Sequence, residues 1–125
     1  MQKNAIQVGS VLGPYSPGLE ISAHSSMLFI SGQIPLDATG NIISPDFSEQ
    51  TEQVFKNLKK VLEAAQYHPN NIVKLTIYLT DLANFAIVNE ACKTHLQEPY
   101  PARATVQISA LPKGALLEIE AVAAR

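Results

Sequence analysis

A chain of 125 residues and 13.5 kDa falls in the size range of one domain, and the reading places a single unit over residues 1–125. Its 46% hydrophobic and 16% charged content is ordinary for a globular protein and excludes a disordered chain. A net charge of -2 with a pI near 5.9 argues against a nucleic-acid partner, because such affinity rests on many lysine and arginine contacts to phosphates.

The opening MQKNAIQVG lacks the apolar stretch of a signal peptide, and no run of about 18 apolar residues suggests a membrane span. A reducing, cytoplasmic setting is therefore expected. The segment 13-GPYSPG-18 surrounds Tyr15 with two prolines and two glycines, either an ordinary turn or a rigid loop that presents an aromatic ring. The apolar segment 27-MLFIS-31 reads as a buried strand. It runs into 31-SGQIPLD-37, where Gly32 permits close approach of a ligand to the backbone and Pro35 halts the strand. Thr39-Gly40 and Pro45 mark a loop.

From about Asp46 to Gln66 the apolar residues Val54, Leu58, Val61, Leu62 and Ala65 recur at helical spacing, and Asp46 with Glu49 can cap the start. The segment 73-VKLTIYLT-80 alternates strictly, with Val73, Leu75, Ile77 and Leu79 on one face, which predicts a half-exposed strand. Asp81 can cap a second helix to about Leu96, with Phe85, Val88, Cys92 and Leu96 on one stripe. Cys92, the single cysteine, reads as a small buried hydrophobe, and His95 as a dipole or surface contact. His24, His68 and His95 are scattered, so no metal site is expected.

The last third holds 103-RATVQIS-109, the connection 110-ALPKG-114 and 115-ALLEIEAVA-123. Two alternating segments joined by a Pro/Gly turn predict a hairpin, with Arg103 and Thr105 across from the region of Glu118 to Ala121. Arg103 and the two carboxylates Glu118 and Glu120 are then neighbours. A cross-strand ion pair explains this at a fraction of a kcal/mol to about 1 kcal/mol. The alternative is an arginine aimed at an anion.

The motifs GPYSPG, SGQIPLD, VKLTIYLTDLANFAIVNE and YPARATVQISALPKGALLEIEAVA, in this order across nearly the whole chain, resemble the reactive imine deaminase family, the RidA or YjgF-like proteins. The resemblance implies an α+β fold similar to chorismate mutase: a mixed β-sheet with two helices packed on one face. It also implies a homotrimer with clefts between subunits, no cofactor and no metal. Its implied substrates are small 2-imino acids, hydrolysed to 2-oxo acids and ammonia. Carried onto this sequence, the carboxylate-binding arginine falls on Arg103 and the water-positioning glutamate on Glu118. Tyr15, Ser31 and Asn89 match pocket positions, and backbone groups near Gly32 and Thr105 are placed beside the ligand. Thr105 stands where many members have cysteine. Glu120 is expected to be structural or interfacial. Two other functions compete: a non-catalytic module that binds a 2-oxo acid, and an endoribonuclease or translation inhibitor.

Overall fold

The computed structural model describes every residue, Met1–Arg125. Six strands and two helices follow the order β1 (Gln2–Ile6), β2 (Gly18–Ser22), β3 (Met27–Gln33), α1 (Phe47–Ala64), β4 (Ile72–Leu79), α2 (Phe85–His95), β5 (Ala102–Gln107) and β6 (Leu117–Ala124). β1 and β2 form an antiparallel pair that the sequence reading did not anticipate. The other four make a mixed sheet in the order β3-β6-β4-β5, with β4 and β5 parallel and the other pairs antiparallel. Both helices pack on one side of this sheet, as expected from the resemblance.

Helix α1 starts where its chemistry dictates. The Asp46 carboxylate accepts from Glu49 N at 2.9 Å, satisfying one free N–H of the first turn. Val54, Leu58 and Leu62 then recur on the buried face and, with Phe55, meet the sheet residues Leu75, Ile77, Leu117 and Ile119. Truncating one such side chain, Leu58→Ala for example, costs about 2–5 kcal/mol. Asp81 accepts from Ala83 N at 2.9 Å, but it caps a short 3-10 turn at Leu82–Asn84, and α2 begins only at Phe85. Along α2, Val88 and Cys92 are fully buried. His95 is no surface contact: its ring stacks on Phe55 at 4.5 Å, Lys59 Nζ donates to its Nδ1 at 2.9 Å, and its Nε2 lies 2.9 Å from a Glu52 carboxylate oxygen.

Three expectations about the sheet need correction. In β4 the alternation breaks at a register shift between Ile72 and Lys74, so Ile72 enters the core and Val73 does not. Strand β3 is not buried on both faces: Ile30 is in the core, whereas Phe29 on the opposite face is 73% exposed. Most consequentially, β5 and β6 are not a hairpin. β4 lies between them and pairs with both. The physical reason is burial. β6 has no exposed residue, alternating buried and half-buried positions from Leu117 to Ala123 and ending on buried Ala124, so it belongs in the middle of the sheet, whereas β5 has no fully buried residue and takes the edge.

Candidate active site

The loop 13-GPYSPG-18 is stitched to the start of β5. Ser16 N donates to Pro101 O at 3.1 Å, and the buried Ser16 hydroxyl donates to Tyr100 O at 2.6 Å. These bonds hold Tyr15 above Arg103, with the guanidinium carbon 5.0 Å from the ring centre. On α2 the spacing of Phe85, Asn89 and Cys92, four and then three residues, puts all three on one stripe facing the same arginine. Phe85 lies 5.5 Å from the guanidinium carbon, Nη2 donates to Asn89 Oδ1 at 2.8 Å, and Nη1 lies 3.7 Å from Cys92 Sγ. Asn89 also donates through Nδ2 to Leu12 O at 3.4 Å. The loop passes so near this amide that a Cβ on Gly13 would sit 2.7 Å from Asn89 Oδ1, so a side chain at position 13 would have to displace the amide that tethers Arg103.

Arg103 is therefore not a freely solvated strand charge. It is half-buried and held between two aromatic rings, with its guanidinium tethered on one side, which leaves further N–H groups for an acidic ligand. Beside it is a cavity of about 260 Å³ lined by Leu12, Tyr15, Leu82, Phe85, Arg103 and Thr105. Thr105 shares the face of Arg103 two residues along the strand, and its Oγ1 is buried with no hydrogen-bond partner. A larger cavity, about 680 Å³, opens on the far side of the loop between Gln7, Lys93 and Tyr100. Its lysine is already paired with Glu90 at 3.2 Å, so the smaller cavity, with a tethered cation and an orphaned hydroxyl, is the better ligand site.

Burial pushes the Cys92 thiol up from its ordinary value, against the smaller opposing pull of the nearby Arg103 charge and its hydrogen bond. The buried, unreactive reading of this cysteine agrees with that direction. What sequence reasoning missed is that Cys92 and Phe85 also touch the arginine. The shared stripe with Asn89 was the signal that could have found them. Leu12 and Leu82 carried no such signal.

Glu118 stands elsewhere. On β4, Leu75 is paired with both Arg103 and Ala121, while Tyr78 is paired with both Glu118 and Val106. Leu75 points into the helix-covered core and Tyr78, three residues on, to the opposite face. Arg103 and Glu118 thus lie on opposite faces of the sheet, two strands apart and three rungs apart, which is roughly 10 Å in each direction. The expectation that they are neighbours within the chain is overturned by the insertion of β4. Glu118 instead leans over Gly32: a Cβ there would be 2.6 Å from the Glu118 carboxyl carbon. The open space at Gly32 is filled within this chain by Glu118. Ser31, exposed beside Gly32, belongs to the same second cluster. Two groups result: Arg103, Tyr15, Asn89 and Thr105 on the helix side, and Glu118, Gly32 and Ser31 around β3 and β6.

Comparison with known proteins bears on the whole chain. The family model described as Endoribonuclease L-PSP matches residues 4–125. A RutC family protein of Pyrococcus horikoshii is 46% identical over 113 residues, covering 90% of this chain and 87% of its own length. A Mus musculus protein named 2-iminobutanoate/2-iminopropanoate deaminase is 41% identical over 115 residues, covering 91% of this chain and 83% of its own. The crystal structure of RidA from an Antarctic Psychrobacter bacterium aligns with a TM-score of 0.76 at 40% identity, over 98% of this chain and 99% of that one. Identity at this level across nearly the full length, together with two helices on a mixed sheet, means that the chain belongs to the RidA/YjgF family.

Proposed function

We propose that this protein hydrolyses small 2-imino acids to 2-oxo acids and ammonia, in clefts where Arg103 of one copy faces Glu118 of another within a homotrimer. The observation that carries this reading is the tethered, half-buried Arg103 beside a small cavity with an unpartnered Thr105 hydroxyl. A relative named for this deaminase reaction, 41% identical, supports the substrate class. Assembly is supported by the sheet face that the helices leave bare. Phe29, Met27 and Val106 on it are 73%, 45% and 42% exposed, apolar side chains that contact with another copy would cover. Because one chain holds its arginine and its glutamate on opposite faces of the sheet, a complete site requires two copies.

In this mechanism Arg103 grips the substrate carboxylate through two parallel N–H···O bonds, which fixes the C=N carbon. Glu118 takes a proton from water as the water oxygen bonds to the carbon of the protonated imine, giving a neutral tetrahedral carbinolamine. Glu118 returns that proton to nitrogen, and as the C–N bond breaks and ammonia leaves, the carbinolamine hydroxyl gives its proton to Glu118 and becomes the C=O. Electrons and protons balance without a redox partner. Free imines hydrolyse readily in water, so a sparse site of two charged groups is adequate.

A second reading, a binding module for 2-oxo acids, is favoured by the fact that the Arg103 cavity is complete within one chain while Glu118 is not part of it. The family description points to RNA as a third substrate, but a net charge of -2 offers no electrostatic pull on a phosphate backbone. The deciding experiment couples a dehydratase that releases iminopyruvate to measurement of ammonia. Acceleration that disappears in Arg103→Ala and in Glu118→Ala, yet partly returns when these two inactive chains are co-assembled, supports shared clefts. Carboxylate binding without acceleration leaves the binding module standing.

A further inference from the structure

Two carboxylates, Glu118 and Glu120, lie two residues apart on one face of β6, and their environments differ. Tyr78 is the cross-strand partner of Glu118, yet its phenol reaches diagonally and donates a short hydrogen bond to Glu120. Glu118 has no hydrogen-bond or ion-pair partner within the chain. Of the other groups on this face, Lys74 of β4 directs its Nζ to Leu75 O at 3.1 Å, while β3 contributes Met27 and Phe29 and β5 contributes Ala104 and Val106. Thr76 of β4, opposite Glu120, adds a hydroxyl to this face, but the phenol is the donor that bonds to Glu120.

We infer that Tyr78 is a positioning residue that selects Glu118 as the working base: by tying up Glu120 it keeps that acid ionised and out of proton transfer, and it leaves Glu118 with full acceptor capacity over Gly32. This rests on the reading of Glu118 as the group that takes a proton from water. Two like charges about 7 Å apart on one strand face raise each other's affinity for protons. A hydrogen bond from a phenol favours the ionised form of the acid that accepts it. The Tyr78 proton is correspondingly harder to remove, its pKa being raised chiefly by the hydrogen bond to Glu120 and then by burial and the fields of both glutamates. The phenol therefore lies in the field of both acids. Tyr78 does not line the Arg103 cavity of its own chain; it stands between Glu118 of β6 and Val106 of β5.

The test is the pH profile of kcat/KM for imine hydrolysis in the assembled protein, alongside a carbon NMR titration of the two glutamate carboxyls, which does not depend on turnover. Tyr78→Phe keeps the ring and removes the donor. Losing the donor lets Glu120 bind a proton more readily and weakens its field on Glu118, so the acid limb and the Glu118 titration midpoint should move to lower pH by about a few tenths of a unit relative to wild type. Glu120→Gln should move both to lower pH, and the double variant Tyr78→Phe/Glu120→Gln should match Glu120→Gln alone, because the phenol acts only through the Glu120 charge. A Tyr78→Phe profile superimposable on wild type, or moved to higher pH, overturns the inference, as does a shift that persists in the Glu120→Gln background. If wild type hydrolyses no imine, the deaminase reading fails, while the NMR midpoints still decide whether Tyr78 couples the two acids. Should Tyr78→Phe fold poorly, Glu120→Gln alone tests the same field: an unmoved Glu118 midpoint there also overturns the proposal.

Discussion

Asn89 bridges the Arg103 guanidinium and the loop that precedes Tyr15: its Oδ1 accepts from Arg103 Nη2 at 2.8 Å and its Nδ2 donates to Leu12 O at 3.4 Å. One amide thereby sets both the guanidinium and the loop that carries Tyr15. Asn89→Ala should leave the α2 core intact and let Arg103 swing. A charge-assisted hydrogen bond is worth about 1.5–3 kcal/mol, so kcat/KM for imine hydrolysis should fall by roughly 10- to 150-fold. Full activity in this variant would show that the tether is dispensable.

Arg103→Lys separates charge from geometry. Lysine retains the positive charge but cannot make two parallel bonds to a carboxylate, and it has no planar face to lie against Tyr15 and Phe85. Affinity for 2-oxobutanoate, measured by calorimetry, should drop at least about tenfold while the melting temperature changes little. Binding equal to wild type would mean that Arg103 acts only as a point charge.

Gly32→Ala places a methyl group where the Glu118 carboxyl now lies, at 2.6 Å from its carbon. The displaced group is the end of a flexible side chain, so the stability cost should stay below about 1 kcal/mol. Activity should suffer far more, through kcat and not through binding of a 2-oxo acid, because the carboxylate is moved while Arg103 is untouched. Loss of binding with unchanged kcat would place Gly32 on the carboxylate side of the site instead.

Thr105→Val removes a buried hydroxyl that has no partner in the chain. An orphaned polar group of this kind costs about 1–3 kcal/mol, so the variant should be as stable as wild type or more so by chemical denaturation. If the hydroxyl is satisfied by ligand, 2-oxobutanoate should bind the variant more weakly, and Thr105→Ser should bind it almost normally. A destabilised Thr105→Val protein would show that another copy of the chain satisfies the hydroxyl.

Cys92 gives a pH dependence whose sign follows from its shift. Its pKa in the folded chain is raised above the ordinary 9.0, chiefly by desolvation, so the folded state holds the thiol proton more tightly than the unfolded state. Its contribution to stability is present in full below about pH 9 and declines above it, as the unfolded chain ionises first, with a slope of at most about 1.4 kcal/mol per pH unit. Cys92→Val should flatten that alkaline decline. Native protein should also react negligibly with thiol reagents at pH 7 until it is unfolded.

How much of this was legible in the sequence varies with the range of the interaction. The α1 stripe and the Asp46 cap were readable because they depend on residues three and four apart. The site residues on α2 were half readable. Asn89 entered through the family resemblance, while Phe85 and Cys92 had been explained as core and so were not suspected of touching Arg103. The β1–β2 pair went unnoticed because neither strand carries a clear alternating run, and one face of each remains wet.

The sequence by itself determined which residues are apolar on which period, hence the two helices, the inward face of most strands, and the chemical identities of the arginine, the glutamate and the orphaned threonine. Only the tertiary structure decided which strands are neighbours. Alternation specifies the face on which a side chain stands but carries no information about what lies beside it, since a strand's hydrogen bonds can be met by any partner strand of suitable length. That choice was made by burial, which drew β6 to the middle of the sheet, placed β4 between Arg103 and Glu118, and put the two charges on opposite faces of one chain.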